Sequence, residues 1–248
     1  MTEIVHGSDR RAVEPELIVD HSFSAKPKPA DRYRDFYEKL TEYVNRISGP
    51  AEALEPSVTA RTFGVVEERD AGSVFRYTEN ASALAGIAAL TPTLAVRKVA
   101  IIGTGGTGAY VLDLLAKTPV EEIHLYDGDE FLQHNAFRAP GAASLTQLRG
   151  RPSKVAYFLG MYDPMRRGII PHPEYIDRRV SFGARDGEAG DEYEKNIQIA
   201  ELNALNAVMA VIKWKKLCGF YVDLEREGHS AYIIEGNGLV SDDQGESQ

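Results

Sequence analysis

With a single cysteine, Cys218, the chain has no internal disulfide, and no CxxC pair is present to hold a structural zinc. Long apolar runs are also lacking. Nothing approaches the roughly 18 consecutive apolar residues of a membrane span, and Glu3, His6 and Asp9 stand where a signal peptide carries its apolar stretch. Positive charge is scarce: 28 Lys and Arg face 37 Asp and Glu, a formal charge of −9, with a pI near 5.2. Such a balance gives no field to draw in a nucleic-acid backbone. Internal repeats are missing too, which excludes a solenoid. These absences lead us to expect a cytoplasmic protein with no membrane and no nucleic-acid partner. What is present suits a folded core: 43% of the residues are hydrophobic and 26% charged. At 248 residues the chain has room for one α/β core and an appendage.

Residues 1–30 are polar and end in Ala25-Lys26-Pro27-Lys28-Pro29, which opposes helix and reads as a flexible arm. Residues 31–95 read as a small α+β segment. Tyr33, Phe36, Tyr37, Leu40, Val44 and Ile47 recur at helical spacing, and Gly49-Pro50 is expected to end that helix. Val58 to Val66 and Ser73 to Tyr77 predict a hairpin around Asp70-Ala71-Gly72, and Ala81 to Leu90 a helix. Residues 96–248 form the third part. Lys98 to Ile102 is a strand, the run after Gly108 a helix to Pro119, and Ile123 to Tyr126 the next strand. Strand, helix, strand is a βαβ unit, so the fold class is α/β with a Rossmann-like, mainly parallel, buried sheet. A helix after Ser153-Lys154, a strand within Gly168 to Val180, and a long helix from Glu192 to Leu217 follow. Phe220 to Leu224 and Ala231 to Ile234 read as a closing strand pair.

The chemistry concentrates in Gly103-Thr104-Gly105-Gly106-Thr107-Gly108. Gly103 permits a tight turn out of the strand, Gly105 lets backbone approach a ligand, and Gly108 lets the helix pack on the strand. A phosphate can sit on the helix start, where free amides and the helix dipole favour negative charge. The following strand ends in Tyr126-Asp127-Gly128-Asp129, carboxylates at the sheet edge where a ribose hydroxyl can bind. A dehydrogenase places an acid there as well.

The continuation Glu130-Phe131-Leu132-Gln133-His134-Asn135-Ala136-Phe137-Arg138 narrows the choice. A GxGGxG loop, a D-x-D strand end and N-x-x-R, in that order over roughly Val74 to Lys154, resemble the ThiF-like adenylating family, which includes the ubiquitin-activating enzymes. The resemblance implies ATP-dependent adenylation of the C-terminal carboxylate of a ubiquitin-like or sulfur-carrier protein, with Mg²⁺, in a homodimer. It implies that Gly103, Gly105, Gly106 and Gly108 cradle the nucleotide, with the acids at Asp127 and Asp129 on its ribose side. Asn135, Arg138 and Lys154 would meet the phosphates. Arg138 is a planar donor fork and Lys154 a point charge, which suit phosphate oxygens in different ways. Arg76-Tyr77 resembles the family's R-Y start, but Glu79 stands where a second arginine is usual.

The chain departs from the pattern after the lysine helix. No apolar strand ending in a metal-binding aspartate follows Val180; Asp186 and Asp191 lie in a glycine-rich run, and the metal ligands are left unassigned. Three readings stay open: an active adenylyltransferase, a shortened non-catalytic nucleotide-binding or scaffold member, and an NAD-dependent oxidoreductase. His134 reads as polar filler and Cys218 as an inert helix-end thiol.

Overall fold

A computed structural model of the chain describes residues 5–14, 17–26, 32–59, 63–174, 199–224, 229–234 and 236–242. They fall into two compact units, Met1–Val65 and Val66–Gln248.

In the first unit β1 (Val5–Gly7) pairs antiparallel with β4 (Ser22–Phe23), and β2 (Arg11–Glu14) with β3 (Leu17–Val19). The described part of the expected arm is therefore laddered, because short stretches such as Leu17-Ile18-Val19 pair their backbone once a neighbour is in reach. Helix α1 (Phe36–Leu54) starts where Asp35 accepts the Glu38 amide at 2.8 Å. It runs through Gly49 and Pro50, past its expected end. A proline interior to a helix removes one backbone bond without forbidding helical φ, and this one falls within the last turns. The helix stops at Glu55, whose amide donates to the Ala51 carbonyl at 2.9 Å.

The second unit opens with less regular structure than its residues led us to expect. The hairpin around Asp70-Ala71-Gly72 is present in short form: Glu67 bridges Tyr77 antiparallel, with the Glu68 amide on the Arg76 carbonyl at 3.1 Å and the Thr78 amide on the Val66 carbonyl at 2.9 Å. Helix α2 covers Ala81–Leu84 and goes no further because Gly86 turns left-handed at φ +72°. A 3-10 turn, Thr91–Leu94, leads into the sheet.

The sheet has strands β5 (Lys98–Ile102), β6 (Glu122–Tyr126) and β7 (Ile169–His172), all parallel in that order. Helix α3 (Gly106–Ala116) joins the first two strands. Between β6 and β7 come the short α4 (Gln133–Ala136), α5 (Leu145–Arg149) and α6 (Lys154–Tyr162). The class is α/β with a Rossmann-like parallel sheet. Ile101, Ile123, Leu125 and Ile169 face a core completed by Leu112 and Leu115 of α3, Val155 and Phe158 of α6, and Phe131. The other face differs from the doubly buried sheet expected of such crossovers. Its Glu122, His124, Tyr126 and His172 are half-buried, with His124 Nδ1 3.1 Å from His172 Nε2, His124 Nε2 2.9 Å from Glu122, and Tyr126 stacked on His172 at 4.2 Å.

Helix α7 (Ala200–Leu217) lies along α3 and buries Asn203, Ala207 and Val211, one residue per turn. Its expected first residues, 192–198, lie outside the described residues, as do Gly183 to Asp191 with Asp186. At its end Gly219, at φ +75°, donates to Lys216 and Phe220 donates to Lys215, a Schellman closure. That closure ties Phe220 to the helix end, so 220–224 is not a strand. The closing pair is instead β8 (His229–Ile233) with β9 (Gly238–Asp242), antiparallel.

Candidate functional site

At the carboxyl edge of the sheet, Gly103 adopts φ +85° and donates to the Tyr126 carbonyl at 2.8 Å, adding one rung to the ladder before the chain turns. The first intrahelical donor of α3 is Ala109, bonded to the Gly105 carbonyl at 3.0 Å. The amides of Gly106, Thr107 and Gly108 thus have no acceptor within the helix, and Gly105 offers no side-chain cap. Two glycines here are closely packed, Gly108 against backbone and Gly106 against a side chain. A Cβ at Gly108 would lie 1.9 Å from the Gly103 carbonyl oxygen, and one at Gly106 would lie 2.0 Å from Asn203 Nδ2. Gly105 faces open space, with nothing within 4 Å of an added Cβ.

The strand end after β6 is fastened to this turn. Asp127 Oδ2 accepts the Thr104 amide at 2.7 Å and its hydroxyl at 3.0 Å, while Oδ1 accepts the Asp129 amide at 2.9 Å. Lys154 approaches the same Oδ1 at 3.6 Å and pairs with Asp129 Oδ2 at 2.6 Å. Lys154 is delivered by the first turn of α6: Ser153 caps that helix, and the Lys154 amide donates to the Asp129 carbonyl at 2.9 Å. The ammonium is buried at 8% residue exposure, so its charge rests on the two carboxylates. Both Asp127 oxygens have partners inside the chain. Asp129, its side chain 76% exposed, is the acid at this edge that faces solvent.

Asn135 and Arg138 come from the turn that follows. Phe131, stacked 3.8 Å from Tyr157, anchors it in the core. Asn135 is 4% exposed, and its Oδ1 accepts the Leu132 amide at 2.8 Å, so this oxygen holds its own turn. Arg138 leaves that turn half-buried. Its Nε is wholly enclosed and has no hydrogen-bond partner, which is true of no other buried side-chain nitrogen or oxygen among the described residues. The glycine turn, Asp127, Asp129 and Lys154 are thus joined by direct bonds. Arg138 reaches the turn through a residue that sequence reading missed, Asn203 of α7. Asn203 Nδ2 donates to the Arg138 carbonyl at 3.3 Å, and its Oδ1 accepts the Thr107 hydroxyl at 3.2 Å. One signal was available in the sequence: a polar residue on the apolar stripe of a core helix.

The remaining candidates sit apart. His134 is exposed, and burial raises the Cys218 thiol pKa above its usual range, in keeping with an unreactive sulfur. Arg76 is engaged by Asp163, to which its Nη2 donates at 2.7 Å. A largely apolar cavity of about 460 Å³, lined by Phe75, Tyr77, Ile87, Lys117 and Met165 among others, opens beside the C-terminal end of α3, away from the glycine turn. Among the described residues no three His, Cys, Asp or Glu side chains cluster to hold a metal, and no helix is long and apolar enough to cross a membrane.

Comparison with known proteins adds the following. A family model described as a domain of unknown function, DUF6791, matches residues 1–80. No curated protein matches the chain. Among solved structures, Escherichia coli MccB with SeMet MccA is similar at 13% identity and a TM-score of 0.49, covering 62% of this chain and 65% of that one. MccB with ATP is similar at 15% identity, a TM-score of 0.47 and the same two coverages. The E. coli tRNA N6-threonylcarbamoyladenosine dehydratase TcdA is similar at 22% identity and a TM-score of 0.29, covering 37% of this chain and 38% of that one. The chain thus spans about 65% of the length of the MccB chain it is aligned with.

Proposed function

We propose that the second unit binds ATP at the glycine turn and catalyses adenylation of a carboxylate, as the ThiF-like resemblance implies. In this reaction the C-terminal carboxylate of a ubiquitin-like or sulfur-carrier protein attacks the α-phosphate, an acyl-adenylate forms and pyrophosphate leaves. One observation carries the reading: the enclosed, unpartnered Nε–H of Arg138. A buried donor left unsatisfied costs about 1–3 kcal/mol, and on this reading the side chain turns on nucleotide binding so that a phosphate at the start of α3 removes that cost. The amides of Gly106, Thr107 and Gly108 face the same anion, and the Gly105 position leaves it room.

Lys154 would exchange its pairing with Asp129 for a phosphate oxygen, which would free Asp129 toward a ribose hydroxyl. Asp127 stays with Thr104 and keeps the turn in shape. ATP supplies the electrophilic phosphorus and the leaving group, and Mg²⁺, when bound, would neutralise phosphate charge. Donors already fixed in place stabilise charge that develops in the transition state more than charge in the ground state. A homodimer in the cytoplasm is part of the proposal.

Exchange of labelled pyrophosphate into ATP, with a ubiquitin-like partner present, tests the reading. Absence of exchange despite demonstrated binding of both ATP and partner removes it. A second reading then stands, a non-catalytic nucleotide-binding or scaffold member, favoured by the prior engagement of Lys154 with two carboxylates. An NAD-dependent oxidoreductase gives Arg138 and Lys154 no task; a change in NADH fluorescence on titration would revive it.

A further inference from the structure

Asn203 is 3% exposed on α7, where its helical neighbours in the buried stripe are Ala207 and Val211. A polar amide persists in such a stripe when its own hydrogen bonds are met. Here they are met by two separate parts of the site. The carboxamide oxygen takes the Thr107 hydroxyl on the first turn of α3, and the carboxamide nitrogen donates to the main chain of Arg138. Its plane also fills the space a side chain at Gly106 would occupy.

The three contacts fix one relation. Thr107 and Gly106 carry amides without an acceptor inside the helix, and Arg138 carries an enclosed Nε–H without a partner. Arg138 lies 31 residues downstream of Thr107 on a separate turn, and no bond between the two is present other than the route through Asn203 among those described. A shift of about 1 Å between such groups lowers catalytic or binding efficiency by about 10²-fold.

We infer that Asn203 is a positioning residue, which holds the Arg138 guanidinium in register with the amides of Gly106 and Thr107 so that both meet the same phosphate. The inference rests on the nucleotide reading above for the identity of the anion, but its geometric content belongs to the free protein. Helix α7 therefore completes the site without touching the nucleotide.

Two measurements on the full chain test it. The first is the ¹⁵Nε–H resonance of Arg138 in nucleotide-free protein, identified by its loss in Arg138→Lys. Asn203→Ala is expected to speed solvent exchange of that proton about tenfold or more, as enclosure is lost. The second is calorimetric titration with Mg-ATP. Asn203→Ala is expected to weaken binding about tenfold in the wild-type background and less than about threefold in the Arg138→Lys background, the non-additivity of residues that act through one another. Asn203→Asp, which keeps the size but replaces the Nδ2 donor, takes the place of the alanine variant if that chain does not fold.

An unchanged Arg138 resonance in either folded variant overturns the inference, as does an equal loss of ATP affinity in both backgrounds. A wild-type chain that takes up no ATP overturns the nucleotide reading instead, and the resonance alone then decides the role of Asn203.

Discussion

Helix α3 has Arg166 bonded at its end and Arg138 linked to its start through Asn203, and the two arginines differ in how their donors are used. At the C-terminal end Arg166 is wholly buried and saturated. Its Nη1 donates to the carbonyls of Leu115, Ala116 and Thr118 at 3.3–3.4 Å, its Nη2 to Val120, and its Nε to Arg167. Two of these carbonyls, Leu115 and Ala116, belong to the last turn of the helix, and a cation there also meets the negative end of the dipole. At the N-terminal end the amides have no intrahelical acceptor, and Arg138 keeps a buried donor without a partner. An arginine whose donors are all met within the chain is part of the fold. One with a buried donor unmet is, on the reading proposed above, kept for the nucleotide.

Removing either arginine tests that contrast most sharply. Arg138→Ala should lower pyrophosphate exchange by about 10²–10⁵-fold, the range for other donors that stabilise a phosphoryl or oxyanion charge, while urea denaturation shows little loss of stability. Arg166→Met should do the reverse. Leaving several buried carbonyls without a donor should cost about 3–5 kcal/mol in urea denaturation, with ATP affinity retained in the fraction that stays folded. If the two variants exchanged these phenotypes, the distinction would be lost.

A glycine pair refines the comparison within the N-terminal end. Gly108→Ala forces a Cβ to 1.9 Å from the Gly103 carbonyl and should destabilise by about 1–3 kcal/mol as the turn opens. Gly105→Ala meets nothing in the folded protein, so its melting temperature should stay within a degree or two of wild type, by the small cost of such changes. It places a methyl group where the anion would sit and should still weaken ATP binding about tenfold. The smallest effect is expected at Cys218. Its raised thiol pKa leaves less thiolate at pH 8 than a free cysteine has, so alkylation by iodoacetamide should be slower than that of a model thiol and should accelerate only at higher pH.

Regularity decided what was legible from sequence. The β5 limits were read correctly, and those of β6 to within one residue, because apolar runs bounded by glycine or proline leave few alternatives. Helix α1 overran Gly49-Pro50 because a local penalty does not outweigh a helix that is otherwise continuous. Phe220 to Leu224 has strand-like residues, but the Schellman closure at Gly219 claims its first amide. Roles inside the site were harder to read. Asp127 stands where the motif puts it, yet its oxygens are directed to Thr104, Asp129 and Lys154, partners set by three different segments.

By itself the sequence determined the βαβ core and the glycine turn, since period, β-branched content and the φ > 0 requirement are properties of neighbouring residues. It also placed Asn135, Arg138 and Lys154 in order along the chain. Only the tertiary structure decided that Lys154 is tethered to the strand end, that Arg138 keeps a buried donor unmet, and that Asn203, 65 residues beyond Arg138, ties it to the start of α3. Hydrogen bonds between distant segments depend on how helices pack, and packing is fixed by the whole core at once.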